Sequence, residues 1–205
     1  MKKTIVLLVG LFFVLGFEYE LQAQSQIKFG VRGGLNFANL GNADFETEPR
    51  TGFMAGMFAN IPIPVLPFDL EAGINYSQKG VKTREERTEL TFKLDYIEVP
   101  VLAKIHFAPA VALNPYFLAG PYIEFNVNAK SESRDEENRM SIDLSDETEF
   151  VNFGLVGGIG TDINVGISRV NIQGRFNLGL RNTFNDRFGG NENNMLFSIL
   201  AGFTF

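Results

Sequence analysis

His106 is the only histidine in a chain of 205 residues, and cysteine is absent. A lone imidazole excludes a multi-histidine metal site. The lack of thiols excludes a thiolate nucleophile, a cysteine-ligated zinc or iron–sulfur site and a disulfide scaffold. What His106 could supply alone is general acid–base chemistry. No Ser or Asp beside it in sequence forms a nucleophile motif, so His106 reads as a turn-side or interface histidine. No catalytic, cofactor-binding or metal-binding residue is assigned, and no cofactor is expected.

Two other groups of residues could carry chemistry. The segment 129–148 holds Glu132, Asp135, Glu136, Glu137, Asp143, Asp146 and Glu147 against Lys130, Arg134 and Arg139. A calcium site wants convergent oxygens around a glycine-containing turn. This segment has no glycine and no Asp-x-Asp spacing, so it reads as a solvated charged loop. Charges also recur at alternate positions inside apolar stretches: Lys28, Arg32, Lys104, Arg169, Arg175 and Arg181 against Asp69, Glu71, Glu98, Glu124 and Asp162. Paired charges of both signs on one face describe a structural network better than a reacting pair. The net charge of −6 argues against nucleic acid as a partner, because such binding wants a basic face. Gly157-Gly158 sits inside an alternating stretch with no helix after it, so it is not a phosphate loop.

The elements that must position these residues are strands. Period-2 alternation recurs along the chain, without helical periodicity of useful length. The apolar rows are Ile27–Phe37, Phe53–Ile61, Phe68–Tyr76, Ile97–Ile105, Phe117–Val127, Val151–Ile159, Val170–Leu180 and Phe197–Phe205. Eight strands are therefore expected. Connections near 61–67, 108–114 and 164–168 are short. Those at 40–51, 81–89, 129–148 and 182–194 are longer and polar. Short turns at one end and long loops at the other mark an up-and-down membrane barrel, and they put His106 at the turn end.

Alternation alone does not say which face is outside. An eight-stranded barrel has barely enough interior for its own side chains, and phenylalanine and glycine each number 21. Packing every Phe-rich row inside would overfill the barrel. Glycine agrees: Gly30, Gly34, Gly56, Gly73, Gly120, Gly154, Gly158, Gly160, Gly179 and Gly202 fall on the polar face. Only Gly33, Gly157 and Gly174 fall on the apolar one. Glycine weakens a strand and has no use on a watered surface, whereas a crowded lumen needs it. The apolar rows are therefore assigned to lipid. The charged face becomes a lumen, plugged by a network of Arg32, Glu71, Glu98, Lys104, Glu124, Arg169, Arg175 and Arg181, with Leu102, Leu118, Val156 and Leu200 adding bulk. Phenylalanines near the strand ends fit two interfacial girdles.

Residues 1–23 read as a cleaved signal peptide: Lys2 and Lys3, then the apolar run 4–17, then Leu21-Gln22-Ala23 as the processing site. The run is shorter than a spanning helix requires. The barrel domain is 24–205.

Several segments carry a family resemblance. FGVRGGLNFANL (29–40), YIEVPVLAK (96–104), PYFLAGPYIEF (115–125), GLVGGIGTDI (154–163), GRFNLGLRN (174–182) and the terminal AGFTF resemble PorT-type outer-membrane β-barrels, often called porin-family proteins. The resemblance implies an eight-stranded antiparallel up-and-down transmembrane β-barrel in the bacterial outer membrane. It implies outer-membrane lipid and lipopolysaccharide as surroundings. It also implies handling by the barrel-assembly machinery, whose signal the terminal Phe205 resembles. A monomer without enzyme activity is expected, acting through its extracellular loops or wall in adhesion, envelope integrity or secretion. The alternatives are a narrow small-solute channel, a soluble lipocalin-like binder and a barrel enzyme using His106.

Overall fold

The computed structural model describes residues 27–41, 48–63, 66–85, 88–107, 110, 112–134, 139–143, 148–182 and 193–205. The signal peptide expected over 1–23 lies outside them. All regular structure among the described residues is strand: β1 (Lys28–Gly41), β2 (Glu48–Pro62), β3 (Asp69–Glu85), β4 (Thr88–His106), β5 (Leu113–Arg134), β6 (Arg139–Asp143), β7 (Val151–Val165), β8 (Ser168–Asn182) and β9 (Asn193–Thr204).

The sheet runs β4-β3-β2-β1-β9-β8-β7-β5, and β4 pairs with β5 to close it. All the pairings are antiparallel. The ring is thus the expected eight-stranded barrel. The last strand returns beside the first, with Gly30 opposite Thr204 and Gly41 opposite Asn193. Closure leaves the ring no open edge, which lipid would not tolerate.

The faces sort as the glycine and volume arguments require. Val31, Leu35, Met57, Ile74, Val101, Phe117, Leu155, Ile159, Phe176 and Ile199 are exposed on the outer wall. Arg32, Asn36, Asn75, Glu98, Gln173 and Arg175 are buried within. A Cβ on Gly160 would lie 2.6 Å from the Tyr116 ring, and one on Gly154 would lie 2.7 Å from the Tyr122 ring. On the outer wall a Cβ on Gly157 would meet nothing within 4 Å. The lumen glycines therefore make room for tyrosine rings. Along the rims, aromatic rings pair across strands. Phe107 and Phe117 stack with centroids 4.5 Å apart at the turn end, and Phe53 lies 5.5 Å from Tyr76 toward the loop end.

The sequence reading is corrected at the loop end, where strands replace much of two loops. β3 and β4 pair up to Glu85 opposite Thr88, through most of the stretch read as loop 81–89. β4 and β5 pair up to Glu89 opposite Arg134. β5 leaves β7 at Phe125 opposite Val151 and continues beside β6, a ninth strand inside the stretch read as loop 129–148. The ladder continues past the point where β5 parts from β7, and there it still encloses Leu94, Tyr96 and Ala129 as a buried cluster. A register shift between Asp95 and Tyr96 marks the change, as bulges do at barrel rims.

Candidate functional site

Ten charged residues are buried among the described residues: Arg32, Arg50, Lys79, Lys104 and Arg175, against Glu71, Asp95, Glu98, Glu124 and Asp162. Five cations meet five carboxylates. The balance matters because a buried charge is costly unless it is paired and hydrogen-bonded.

Toward the turn end, Lys104 of β4 reaches Asp162 of β7, its Nζ 2.9 and 3.1 Å from the two carboxylate oxygens. The same ammonium sits 3.9 Å from the Tyr116 ring centroid. His106 stands at this mouth, with Nε2 3.4 Å from Asp162 Oδ2 and Nδ1 3.8 Å from Asp69 Oδ2. The imidazole is held between two carboxylates in the lumen mouth, with no serine or threonine hydroxyl among these contacts. Among the described residues no group of three His, Cys, Asp or Glu side chains could hold a metal ion.

Further up, Glu71 of β3 takes two guanidinium groups on one oxygen. Arg32 Nη1 of β1 is 2.8 Å away and Arg175 Nη2 of β8 is 2.5 Å away. β3 and β8 face each other across the ring, separated by β4, β5 and β7 one way and by β2, β1 and β9 the other. The Glu71–Arg175 pair therefore spans the barrel. Arg32 also lies on the Phe58 ring, 3.8 Å from its centroid. Gln173 lies between these guanidinium groups and Tyr116. Guanidinium groups only donate, so the amide oxygen belongs on their side. It then accepts from Arg32 Nη1 at 2.9 Å and Arg175 Nη2 at 3.2 Å, and its nitrogen donates to Tyr116 Oη at 3.1 Å.

The third layer is built on Lys79 of β3, fully enclosed. Its ammonium donates to Glu124 of β5 and lies 3.9 Å from Glu98 Oε2 of β4. The Tyr96 and Tyr122 rings flank it, at 5.3 and 5.1 Å. Asn177 of β8 reaches across to donate to Glu98 Oε2 at 2.9 Å. Arg50 caps the layer by donating to the Lys79 carbonyl. Between the charged layers, Leu102, Tyr116, Leu118, Tyr122 and Val156 form a buried apolar cluster. Leu200 joins Ala38, Met54 and Leu196 in another.

Of the eight residues read as a lumen network, the structure brings Arg32, Glu71 and Arg175 into one cluster, Glu98 and Glu124 into a second, and Lys104 into a third. Arg169 is half-buried at the turn end of β8, apart from them. Arg181 lies near the loop end of β8, and its side chain is outside the described residues. The sequence reading missed Lys79, the hub of the upper layer. The signal was present, because Lys79 continues the odd-numbered lumen row of Asp69, Glu71, Gly73, Asn75 and Ser77. It also missed Gln173 and Asn177, whose amides bridge the ion pairs to tyrosine and glutamate.

Residues 22–185 match the family model described as outer membrane protein beta-barrel domain. Three solved structures are similar over most of the chain. The attachment invasion locus protein Ail of Yersinia pestis is 12% identical, with 87% of this chain and 98% of that one covered and a TM-score of 0.47. Neisserial surface protein A is 15% identical, with 85% and 95% covered and a TM-score of 0.49. A major outer membrane protein from Thermus thermophilus is 12% identical, with 88% and 100% covered and a TM-score of 0.47. Among curated proteins, none matches by sequence.

Proposed function

Because the chain belongs to the family of outer membrane protein beta-barrel domains, its family match covering residues 22–185, we propose that it is a closed barrel that works from its extracellular end rather than through its lumen. The observation that carries this is the Glu71–Arg175 ion pair, which joins opposite walls directly at 2.5 Å. A side chain from one wall bonded to a side chain from the other leaves no path for a hydrated solute between them. Above and below, Lys79 with its two glutamates and Lys104 with Asp162 add ion pairs between strands on the β3–β7 side of the ring, and Asn177 of β8 reaches Glu98 across it. Packed leucine and tyrosine fill the intervals.

The barrel is then an anchor, and its work belongs to what it lifts above the membrane. The extension of β3, β4 and β5 past the ring, with β6 added beside β5, supports a role in contact at the cell surface. We read the chain as non-enzymatic, with His106 serving Asp162 at the turn-end mouth. We read residues 1–23 as directing export, and the resemblance of the opening, fourth and last strands to PorT-type barrels supports that branch.

Planar-bilayer recording of the purified barrel tests this reading. The wild-type chain is expected to insert without discrete conductance steps. Regular steps at moderate voltage would favour a narrow solute channel and overturn it.

A further inference from the structure

The β7–β8 connection is a tight hairpin. Val165 pairs with Ser168, so Gly166 and Ile167 alone turn the chain. Gly166 takes a φ of 64°, a left-handed conformation that glycine adopts without steric cost. Ile167 stands at the tip, fully exposed, and Val165 beside it is 55% exposed. A turn that projects into water favours Gly, Pro, Asn, Asp and Ser, and two branched apolar side chains are out of place in one.

The rest of this end of the barrel is composed alike. The connections 61–68, 107–115 and 164–168 contain no charged residue. The charged side chains nearest them, Lys28, Asp69, Lys104, His106, Asp162 and Arg169, all take lumen-row positions of their strands. The loop end differs. There Lys93 stands in register with Lys130, on the face away from the buried Leu94 and Ala129. The turn end thus draws its nearby charges into the mouth and leaves its outer rim apolar. Length points the same way. β7 runs 15 residues, from Val151 to Val165. At about 3.3 Å per residue and a tilt of about 40°, its wall row stands about 35 Å tall, against an apolar band of about 25 Å in such barrels. The row outruns the band, and at the turn end no charged side chain stops it.

We propose that the β7–β8 tip is a lipid anchor. Val165 and Ile167 seat among the headgroups and upper acyl chains of the leaflet at the turn end, so that this end of the barrel rests in lipid instead of projecting into the periplasm. Lipid is the occupant because the tip continues the lipid-facing row of Leu155, Ile159 and Ile163, and Leu113, paired with Ile163 and 49% exposed, widens the same surface on β5. The anchor holds the barrel at a fixed depth, and with it the height at which β3 to β6 stand above the opposite leaflet. The inference goes beyond the closed-barrel reading and does not depend on it.

The chain has neither tryptophan nor cysteine, so a single probe of either kind reports one position. Ile167→Trp is folded into lipid nanodiscs whose phospholipids carry bromine on the upper acyl carbons. The indole should lose most of its emission to the brominated lipid and little to acrylamide in the water. Indole itself favours the membrane interface, so Ile167→Cys is the independent arm. In nanodiscs, open to reagent on both faces, its thiol should resist a hydrophilic maleimide and react fully only after boiling in detergent. Heat-dependent gel mobility of each variant confirms that the barrel is folded. Strong quenching by acrylamide, or prompt labelling of the folded barrel, would each put the tip in water and overturn the proposal, leaving the apolar turns as a surface for a periplasmic protein. Neither arm reads the lumen, so a protected tip on a barrel that conducts would uphold the anchor and sink only the closed-lumen reading.

Discussion

Replacing Glu71 by alanine is expected to destabilise the folded barrel by about 3–5 kcal/mol, the usual cost of removing one partner of a buried ion pair. The substitution leaves Arg32 and Arg175, both buried, without the carboxylate they share. Water cannot easily reach them to compensate, since Phe58 covers one face of Arg32 and Gln173 already accepts from both. The chain has no tryptophan, so unfolding is best followed by the loss of the fast-migrating unboiled band across a urea series. Glu132→Ala is the control. Its 2.6 Å pair with Lys93 is partly exposed, and exposed pairs are worth roughly 0–1 kcal/mol. Equal effects of the two substitutions would show that the Glu71 cluster is solvated and that the lumen is open to water.

The second large effect is expected at Lys79. Lys79→Met keeps the length of the side chain and removes its charge, leaving Glu98 and Glu124 facing each other across adjacent strands. Two buried carboxylates then share a layer whose cation is gone, and a loss of about 3–5 kcal/mol follows. The double variant Lys79→Met with Glu124→Leu should recover most of it. Removing both members of a buried pair in favour of apolar groups of similar volume is often neutral. Glu98 keeps its hydrogen bond from Asn177 in that variant. A double variant as unstable as the single one would mean that the facing carboxylates are not what destabilises Lys79→Met, and that the ammonium acts chiefly on the Tyr96 and Tyr122 rings.

Much of this architecture is legible in the residues because lipid imposes a strict rule. Where one face meets hydrocarbon and the other a narrow lumen, alternation is obligatory, and the rows from Val31 to Ile199 show it. Glycine breaks the symmetry between the two possible faces, since Gly154 and Gly160 lie under tyrosine rings while Gly157 faces open space. The rule weakens at the rim. Leu90, Phe92, Leu94 and Tyr96 still alternate with Thr91, Lys93 and Asp95, as Met140 and Ile142 do with their polar neighbours, but 130–134 is polar throughout, so the pattern does not mark where β5 ends. Lys79 is the last member of the odd-numbered lumen row of β3, just before Gly80 with its φ of 132°. Partner choice inside the lumen is also beyond a linear reading. Which carboxylate meets which cation depends on shear and on the opposition of β3 to β8, set by closing the ring rather than by neighbours in sequence. That Glu71 would serve Arg32 and Arg175 together therefore could not be read from spacing.

The account turns on whether the lumen is sealed, and the absence of cysteine offers a direct probe. Ser198 lies fully buried on the lumen face of β9, where its hydroxyl donates to Asn36 at 2.8 Å. Ser198→Cys introduces the only thiol in the chain with little change in volume. In the folded barrel in membranes, that thiol should resist a small hydrophilic maleimide and react only after boiling in detergent. Prompt labelling of the folded, unheated barrel would show a continuous water path to the middle of the lumen, and it would contradict the closed-barrel account.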